Sequence, residues 1–391
     1  MADKKSTRLV KAGRRKKWTG GVVNPPVYHA STVLFDTYKE MRDGVKKAFS
    51  EELFYGRLGT PTLWALEEAL AELEGAKGAK IYPSGMAAIT TSLLSVLKAG
   101  DHLLIADTVY EPTRKFAGQF LPRLGIEADF FDPMAGAGIA KLFKDNTRVV
   151  FLETPGSLTF EVPDLPAIAK AAHARDMYVL CDNTWATPLY HNALEKGADI
   201  SIHAVTKYII GHADAMLGAA LANARTHGLL KYATFQLGQL TGPDDAYLAL
   251  RGLRTLEVRL KQHQQNALEI ARWLEGHAMV ERVLHPALPS CPGHQVWKRD
   301  FTGATGLFSI VLKAGELKNM GAFCDQMAHF GMGFSWGGFE SLVLPQEVAP
   351  VRSATRWDAP GPLIRLHIGL EDVDDLKEDL DAALKRFEKT L

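Results

Sequence analysis

The sequence predicts an α/β protein: a large, mostly parallel sheet covered by helices, then a smaller C-terminal α/β domain. Three observations lead there. Apolar runs such as HLLIAD, RVVFLE and MYVLCD alternate with amphipathic helical stretches from about residue 60 onward, and continuous apolar strands are those buried on both faces. Near Arg254 the pattern shifts to one long helical stretch followed by shorter strands. A length of 391 residues is enough for two domains. The resulting division is an N-terminal arm over residues 1–59, a first domain over 60–253 and a second over 254–391.

In chain order, the arm shows little periodicity and reads as extended chain with one short helix. A helix begins at Thr60-Pro61, where proline suits the first turn. Leu63, Leu66, Leu70 and Leu73 form its apolar face, and Gly75 ends it. KIYPS is then a strand leading into the helix GMAAITTSLLSVLKAG. HLLIAD leads into a helix over YEPTRKFAGQFLPRLG. The strands EADFFD and RVVFLETP follow, then a helix from Asp164 to Arg175, then the strands MYVLCD, DISIHAVT and MLGAALA. Beyond Arg254, the helix RTLEVRLKQHQQNALEIARWLEG leads to the strands ERVLHP, GLFSIVLK, FGMGFSW and LIRLHIG, a more antiparallel set. The chain closes with the helix DVDDLKEDLDAALKRFEKTL.

Lys+Arg and Asp+Glu both number 45, so nothing in the overall charge favours nucleic acid or an anionic membrane as partner. No apolar run is long enough to span a bilayer. The first residues, MADKKSTRLVKAGRRKKW, are basic without the apolar centre of a secretory signal, and a cytoplasmic location is expected. Cys181, Cys291 and Cys324 are far apart and form no C-x-x-C pair, so neither a disulfide framework nor a metal site is expected. His29, His203, His212 and His263 are assigned no catalytic role.

In an open α/β sheet, ligands bind beyond the carboxyl ends of the strands. Four features fall there. Ser84-Gly85-Met86 opens a helix after KIYP; it is either a phosphate-binding helix start or an ordinary serine-capped turn. Tyr110 follows HLLIADTV, as an aromatic platform or as a cap on the core. Asp182 ends YVLCD, as a buried carboxylate needing a cation or as a surface turn residue. Lys207 lies in the apolar stretch SIHAVTKYIIGH; it either reaches solvent or is a desolvated amine of lowered pKa, of the kind that bonds carbonyl groups. Taken together, a phosphate cradle, a ring to stack on, a carboxylate and an amine suit one cofactor, pyridoxal 5′-phosphate.

Nearly the whole chain resembles the Cys/Met-metabolism family of fold-type I pyridoxal-phosphate enzymes. The resemblance rests on YGRLGTPT, YPSGMAA, YEPTR, ETPGS, CDNTWATP, TKYIIGHADAMLGAA, RGLRTLEVRL, FTGATGLFS, FSWGGFESL and LIRLHIGLEDVDDL. It implies that Lys207 carries the cofactor and moves protons, that Tyr110 stacks on the ring, and that Asp182 pairs with the ring nitrogen. It further implies that Gly85, Met86 and Thr206 hold the phosphate. Ala204 stands where the family often has serine, so one phosphate contact is absent or supplied by Ser201 or water. Tyr55 and Arg57 match residues that reach the phosphate of a neighbouring subunit, which implies a dimer-built site and dimers paired into tetramers. Arg365 matches the residue that grips the substrate α-carboxylate, and Ser335 and Trp336 line the same end of the pocket.

The reaction the resemblance implies is carbon–sulfur β-elimination from L-cystathionine. It gives homocysteine, pyruvate and ammonia in methionine biosynthesis, with possible desulfhydrase activity on cysteine. Sister enzymes act at the γ carbon instead. Glu111-Pro112 after Tyr110, and the apolar Phe334-Ser335-Trp336 wall, match the β-acting pattern. A different class of reading is a non-catalytic regulatory protein that merely binds the cofactor.

Overall fold

The computed structural model describes residues 3–391. Its larger sheet contains β1 (Gly78–Tyr82), β2 (His102–Ala106), β3 (Glu127–Phe131), β4 (Thr147–Glu153), β5 (Tyr178–Asp182), β6 (Ile200–His203) and β7 (Gly218–Ala222). The strand order is β1-β7-β6-β5-β4-β2-β3. From β6 to β3 the strands are parallel, whereas β7 runs antiparallel to both β6 and β1. The expected mostly parallel sheet is therefore observed. Because β7 reverses, β1 points the same way as β6, and the carboxyl ends of β1, β2, β4, β5 and β6 share one edge. Their apolar residues are buried, as continuous apolar runs require.

The helix Pro61–Glu74 forms as expected, with Pro61 in its first turn and Gly75 ending it in the left-handed conformation. Its leucines pack against β1, β7 and the long helix Pro243–Glu275. Each fully buried leucine contributes about 2 kcal/mol of transfer free energy. The arm is more ordered than the sequence pattern suggests. It holds helices Lys5–Lys11, Lys16–Thr19 and Tyr38–Lys47 in place of one. Leu9, Ala12 and Trp18 bury against Trp64, Ala65 and Ala69, so tertiary packing supplies what local periodicity lacks.

Four further differences have physical causes. The stretch after Tyr110 is helical but divided into an α turn, a π segment and a 3-10 segment, the last containing Pro122, which cannot donate to an α-helical ladder. The helix predicted from Arg254 starts at Pro243. Its buried stripe runs unbroken from Ala246 to Leu274, the first half in the core of the larger sheet and the second half in the C-terminal core. Of FGMGFSW only Gly331–Met332 is strand; Phe334–Trp336 is a loop, with Ser335 at φ +89°. The strand Leu342–Gln346 was masked by Pro345. That residue is tolerated because the neighbouring two-residue strand pairs only with Leu342 and Val343.

The C-terminal sheet comprises β8 (Val280–Leu284), β9 (Leu307–Leu312), β10 (Gly331–Met332), β11 (Leu342–Gln346) and β12 (Leu363–His367), in the order β10-β11-β12-β9-β8. It is antiparallel except for β10 with β11. Helix Val373–Glu388 covers it through Leu376, Leu380, Leu384 and Phe387.

Arg259, midway along the long helix and buried, ties that helix to the turn after β6. Its guanidinium donates to the carbonyls of Tyr208 (2.7 Å), Gly252 (2.8 Å) and Ile209 (3.3 Å). Removing the donor strands buried carbonyls. Arg259→Met is expected to lower the unfolding free energy by about 3 kcal/mol, measured as a lower urea midpoint at unchanged slope.

Candidate active site

At the shared strand edge lies a cavity of about 230 Å³ whose lining includes Ser84, Gly85, Met86, Tyr110, Asp182, Thr206, Lys207, Ser335, Trp336 and Arg365. Residues from distant parts of the chain and from both sheets meet there. A larger cavity of about 470 Å³, beside Lys80 and Glu67, holds none of them. Tyr55 and Arg57 lie outside the site within one chain: Tyr55 is exposed, and Arg57 donates to the Phe235 carbonyl at 3.2 Å.

Lys207 follows β6 in a turn whose neighbours Val205, Tyr208, Ile209 and Ile210 are buried. Its ammonium nitrogen donates to Ser335 Oγ at 2.6 Å and lies 5.3 Å from the centre of the Trp336 ring. Desolvation, aided by the positive charge of Arg365 and opposed by Asp182, lowers its pKa to about 8. The desolvated-amine reading of this lysine is therefore the one the structure supports.

Ser335 joins the two ends of the cavity. Its hydroxyl meets Lys207, and its carbonyl accepts from Arg365 Nη2 at 3.1 Å. Arg365 sits on β12, with its pKa brought down to about 10 by burial. Ser335 occupies a left-handed backbone conformation, which costs a non-glycine residue about 1–3 kcal/mol and is retained here by these contacts. Gly337 follows at φ +90°, where a Cβ would fall 2.8 Å from Tyr208 N. The Gly337 N–H donates to His367 Nε2 at 3.1 Å, so β12 holds the loop at a second point.

At the opposite end, Ser84 caps the helix Gly85–Val96 by accepting from Ala87 N. The serine thus has the capping role, while the N–H groups of Gly85 and Met86 precede the intrahelical ladder and line the cavity. The backbone approaches closely at this point: a Cβ on Gly85 would stand 2.7 Å from Ala204 Cβ. Thr206 Oγ1 donates to the Leu217 carbonyl (3.1 Å) and accepts from its N–H (2.9 Å). To serve a phosphate, that hydroxyl must give up the carbonyl.

Asp182 Oδ1 accepts from the Thr184 N–H at 3.0 Å and from its hydroxyl. Among the described residues no protein donor is bonded to Oδ2. The carboxylate is buried rather than a surface turn residue. Glu153, at the end of β4 and in register with Asp182, is a cavity residue the sequence reading missed. It accepts from the Tyr110 N–H at 2.7 Å, and burial together with the charge of Asp182 raises its pKa well above the usual carboxylate range. Burial also raises Asp182, opposed by its two bonds from Thr184. Both carboxyls are thus pushed toward the protonated form, and Asp182 is the one with a compensating pair of Thr184 donors. The signal was present: ETPGS follows a strand just as CDNT does.

A pair of free helix-start amides, a buried carboxylate with an unused oxygen, an exposed aromatic ring and a desolvated amine fit pyridoxal 5′-phosphate. Among the described residues no group of His, Cys, Asp and Glu is placed to hold a metal ion, and all three cysteines are free and buried.

Comparisons with known proteins agree with this geometry. A family model described as "Cys/Met metabolism PLP-dependent enzyme" matches residues 6–385. The chain is 48% identical over 395 residues to cystathionine beta-lyase MetC of Escherichia coli (strain K12), covering 99% of this chain and 100% of that protein. It is 44% identical over 399 residues to an L-alanine/L-glutamate racemase of Wolbachia pipientis wMel, with 98% of each covered. A solved cystathionine gamma synthase from Xanthomonas oryzae pv. oryzae, in complex with cystathionine, superposes with a TM-score of 0.90 at 34% identity, with 100% of each chain covered.

In the cofactor-free protein, Lys207 carrying isotope-labelled methyl groups should titrate near pH 8 by NMR. Asp182→Asn should lower that midpoint, because it removes the negative charge that favours the ammonium form. A midpoint near 10.4, the value for a solvated lysine, would contradict the site's electrostatics.

Proposed function

The chain belongs to the Cys/Met-metabolism PLP-dependent enzymes, and from that premise we propose that it cleaves L-cystathionine by β-elimination to homocysteine, pyruvate and ammonia, a step of methionine biosynthesis. The observation that carries the reading is the desolvated Lys207 amine between Asp182 and Arg365. The choice of β over γ chemistry follows the 48% identity to a β-lyase against 34% to a γ-synthase. It also follows the apolar Phe334 and Trp336 flanking Ser335.

In this reading Gly85 and Met86 donate backbone N–H groups to the cofactor phosphate, with Thr206 beside them. Tyr110 would lie against the ring, and Asp182 would keep the ring nitrogen protonated. When bound, pyridoxal 5′-phosphate supplies an aldehyde for the substrate amine and a ring that stabilises negative charge at Cα. Arg365 takes the substrate α-carboxylate in its fork, releasing the Ser335 carbonyl. Lys207 in its neutral form accepts the Cα proton. In the cofactor-free protein burial lowers the pKa of that amine to about 8, so its neutral fraction grows as pH rises toward and past that value. Lys207, or the Tyr110 hydroxyl, then delivers a proton to the departing sulfur. Trp336 packs over this end, with Phe334 exposed at its mouth. The likeness to a racemase favours one secondary activity: protonation of Cα from the face opposite Lys207 would racemise alanine slowly.

The reading includes a homo-oligomer whose active site is completed by a neighbouring subunit, as a dimer or a pair of dimers, with the arm of residues 1–59 contributing its stretch around Tyr55 and Arg57 while its first helices stay packed on their own chain. Apolar side chains of the arm support it: Leu34 is 88% exposed and Tyr38 74%, and Tyr55 and Arg57 stand free of their own cavity. Domains at 60–253 and 254–391 complete the organisation, joined by the long helix. A cytoplasmic location fits the unpaired thiols. No helix among the described residues is long and apolar enough to cross a membrane, and the balanced charge favours a small amino-acid substrate over nucleic acid.

Product identification tests the reaction. Wild type is expected to release pyruvate from cystathionine, and Lys207→Ala to lose at least about 10³-fold in kcat; α-ketobutyrate as the product would overturn the β assignment. Arg365→Leu is expected to raise KM for cystathionine about a hundredfold, measured by steady-state kinetics with the coupled reduction of pyruvate.

A further inference from the structure

Asp107 follows β2, three positions before Tyr110, and is fully buried. A buried carboxylate that does not line the cavity needs an account, because an uncompensated charge there would be strongly destabilising. The compensation comes from Arg114, on the helix just after Tyr110, and from donors of the C-terminal domain. Asp107 Oδ2 accepts from the N–H groups of Ala354 (3.0 Å) and Thr355 (2.8 Å) and from the Thr355 hydroxyl (2.8 Å). Oδ1 accepts from the Ser353 N–H (3.0 Å), the Ser353 hydroxyl (3.2 Å) and Arg114 Nη1 (2.7 Å). The carbonyl of Asp107 accepts from Arg352 Nη1 at 2.6 Å. The other arm of Arg352 donates to the Thr159 hydroxyl and faces Glu161 at 3.7 Å.

The chain segment Arg352–Thr355 is thus fastened at two points, both next to cavity walls. One lies on the turn that carries Tyr110. The other lies on the loop of Gly156, Ser157 and Phe160, and that loop is itself bonded to the first turn through Ser157 N to the Thr108 carbonyl at 2.7 Å. Downstream, the same segment runs into β12, which carries Arg365 and His367, the two side chains that hold the Ser335 loop. The cofactor-side residues and the substrate-side residues therefore meet across a seam, and Asp107 and Arg352 are the charged groups that pin it.

We propose that Asp107 is a positioning residue: by clasping Ser353–Thr355 it sets the distance between the substrate-binding Arg365 and the Lys207–Tyr110 side of the cavity. It touches neither cofactor nor substrate and acts through Arg365. The proposal rests on the assignment of Arg365 to the substrate carboxylate, and it goes beyond that assignment in naming what holds the arginine in place.

The test uses the full-length holoenzyme with Asp107→Asn, which keeps the shape but presents an amide N–H₂ to groups that are themselves donors. Four results are expected. KM for cystathionine rises about tenfold. The affinity of the cofactor-free protein for pyridoxal 5′-phosphate stays within about twofold, because the residues assigned to it remain intact. Trypsin cuts faster after Arg352 or Arg356. Finally, Asp107→Asn combined with Arg365→Leu raises KM no more than Arg365→Leu alone, since both act on one contact.

Multiplying KM losses in the double variant, a parallel loss of cofactor affinity, or an unchanged trypsin rate would each overturn the proposal. Should Asp107→Asn not fold, Ser353→Ala with Thr355→Val removes two hydroxyl donors and leaves the carboxylate to Arg114 and the backbone; the same pattern, weaker, is then expected. A wild type that fails to turn over cystathionine would overturn the proposed function, while faster trypsin cleavage in Asp107→Asn would still show the clasp.

Discussion

The site depends on one constraint: the amine of Lys207 is held out of water without being neutralised by a direct ion pair. Its hydrogen-bond partner is a hydroxyl, that of Ser335, and its charged neighbours oppose one another, Arg365 lowering its proton affinity and Asp182 raising it. A carboxylate in direct contact would have locked the ammonium form in place. A purely apolar pocket would have pushed the pKa further down and removed the acid needed later in the cycle. The intermediate arrangement leaves a group able both to accept and to return a proton near neutral pH.

Holding an amine that way requires the surrounding backbone to be fixed, and the fold does this from two sides. The reversal of β7 between β1 and β6 brings the helix start at Gly85 beside the turn that carries Lys207. Arg259, from the helix shared by both cores, bonds the carbonyls of Tyr208 and Ile209 immediately after the lysine. From the C-terminal sheet, β12 holds the Ser335 loop through Arg365 and His367. The strained backbone at Ser335 persists because its hydroxyl and its carbonyl are bonded to opposite sides of the seam.

Buried carboxylates are divided by their surroundings into distinct tasks. Asp182 receives two bonds from Thr184 and keeps an oxygen for the cavity. Glu153, one strand away and accepting one backbone N–H, has its proton affinity raised by burial and by Asp182. Asp107 is surrounded by donors and a guanidinium, which hold its proton affinity below the ordinary carboxylate value despite burial. The number of donors facing each carboxyl group thus separates those that line the cavity from the one that anchors the C-terminal segment.

Much of this was legible from the sequence alone. Apolar runs specify strands buried on both faces, Pro61 and Gly75 bracket a helix, and residues just past strand ends are where a parallel sheet places its chemistry. That is why Lys207, Asp182, Tyr110 and the Gly85–Met86 turn were found. What was missed depends on contacts distant in the chain. The first two arm helices are held where Leu9 and Trp18 meet the core around Trp64, β11 tolerates Pro345 because the adjacent strand is short, and Glu153 and Asp107 acquire meaning only from Asp182 beside the one and Ser353–Thr355 around the other. The sequence by itself determined the fold class and the chemical groups available, since both follow from local pattern and residue type. Tertiary structure alone decided their protonation and their mutual distance, because desolvation and opposing charges are set by neighbours that come from elsewhere in the chain.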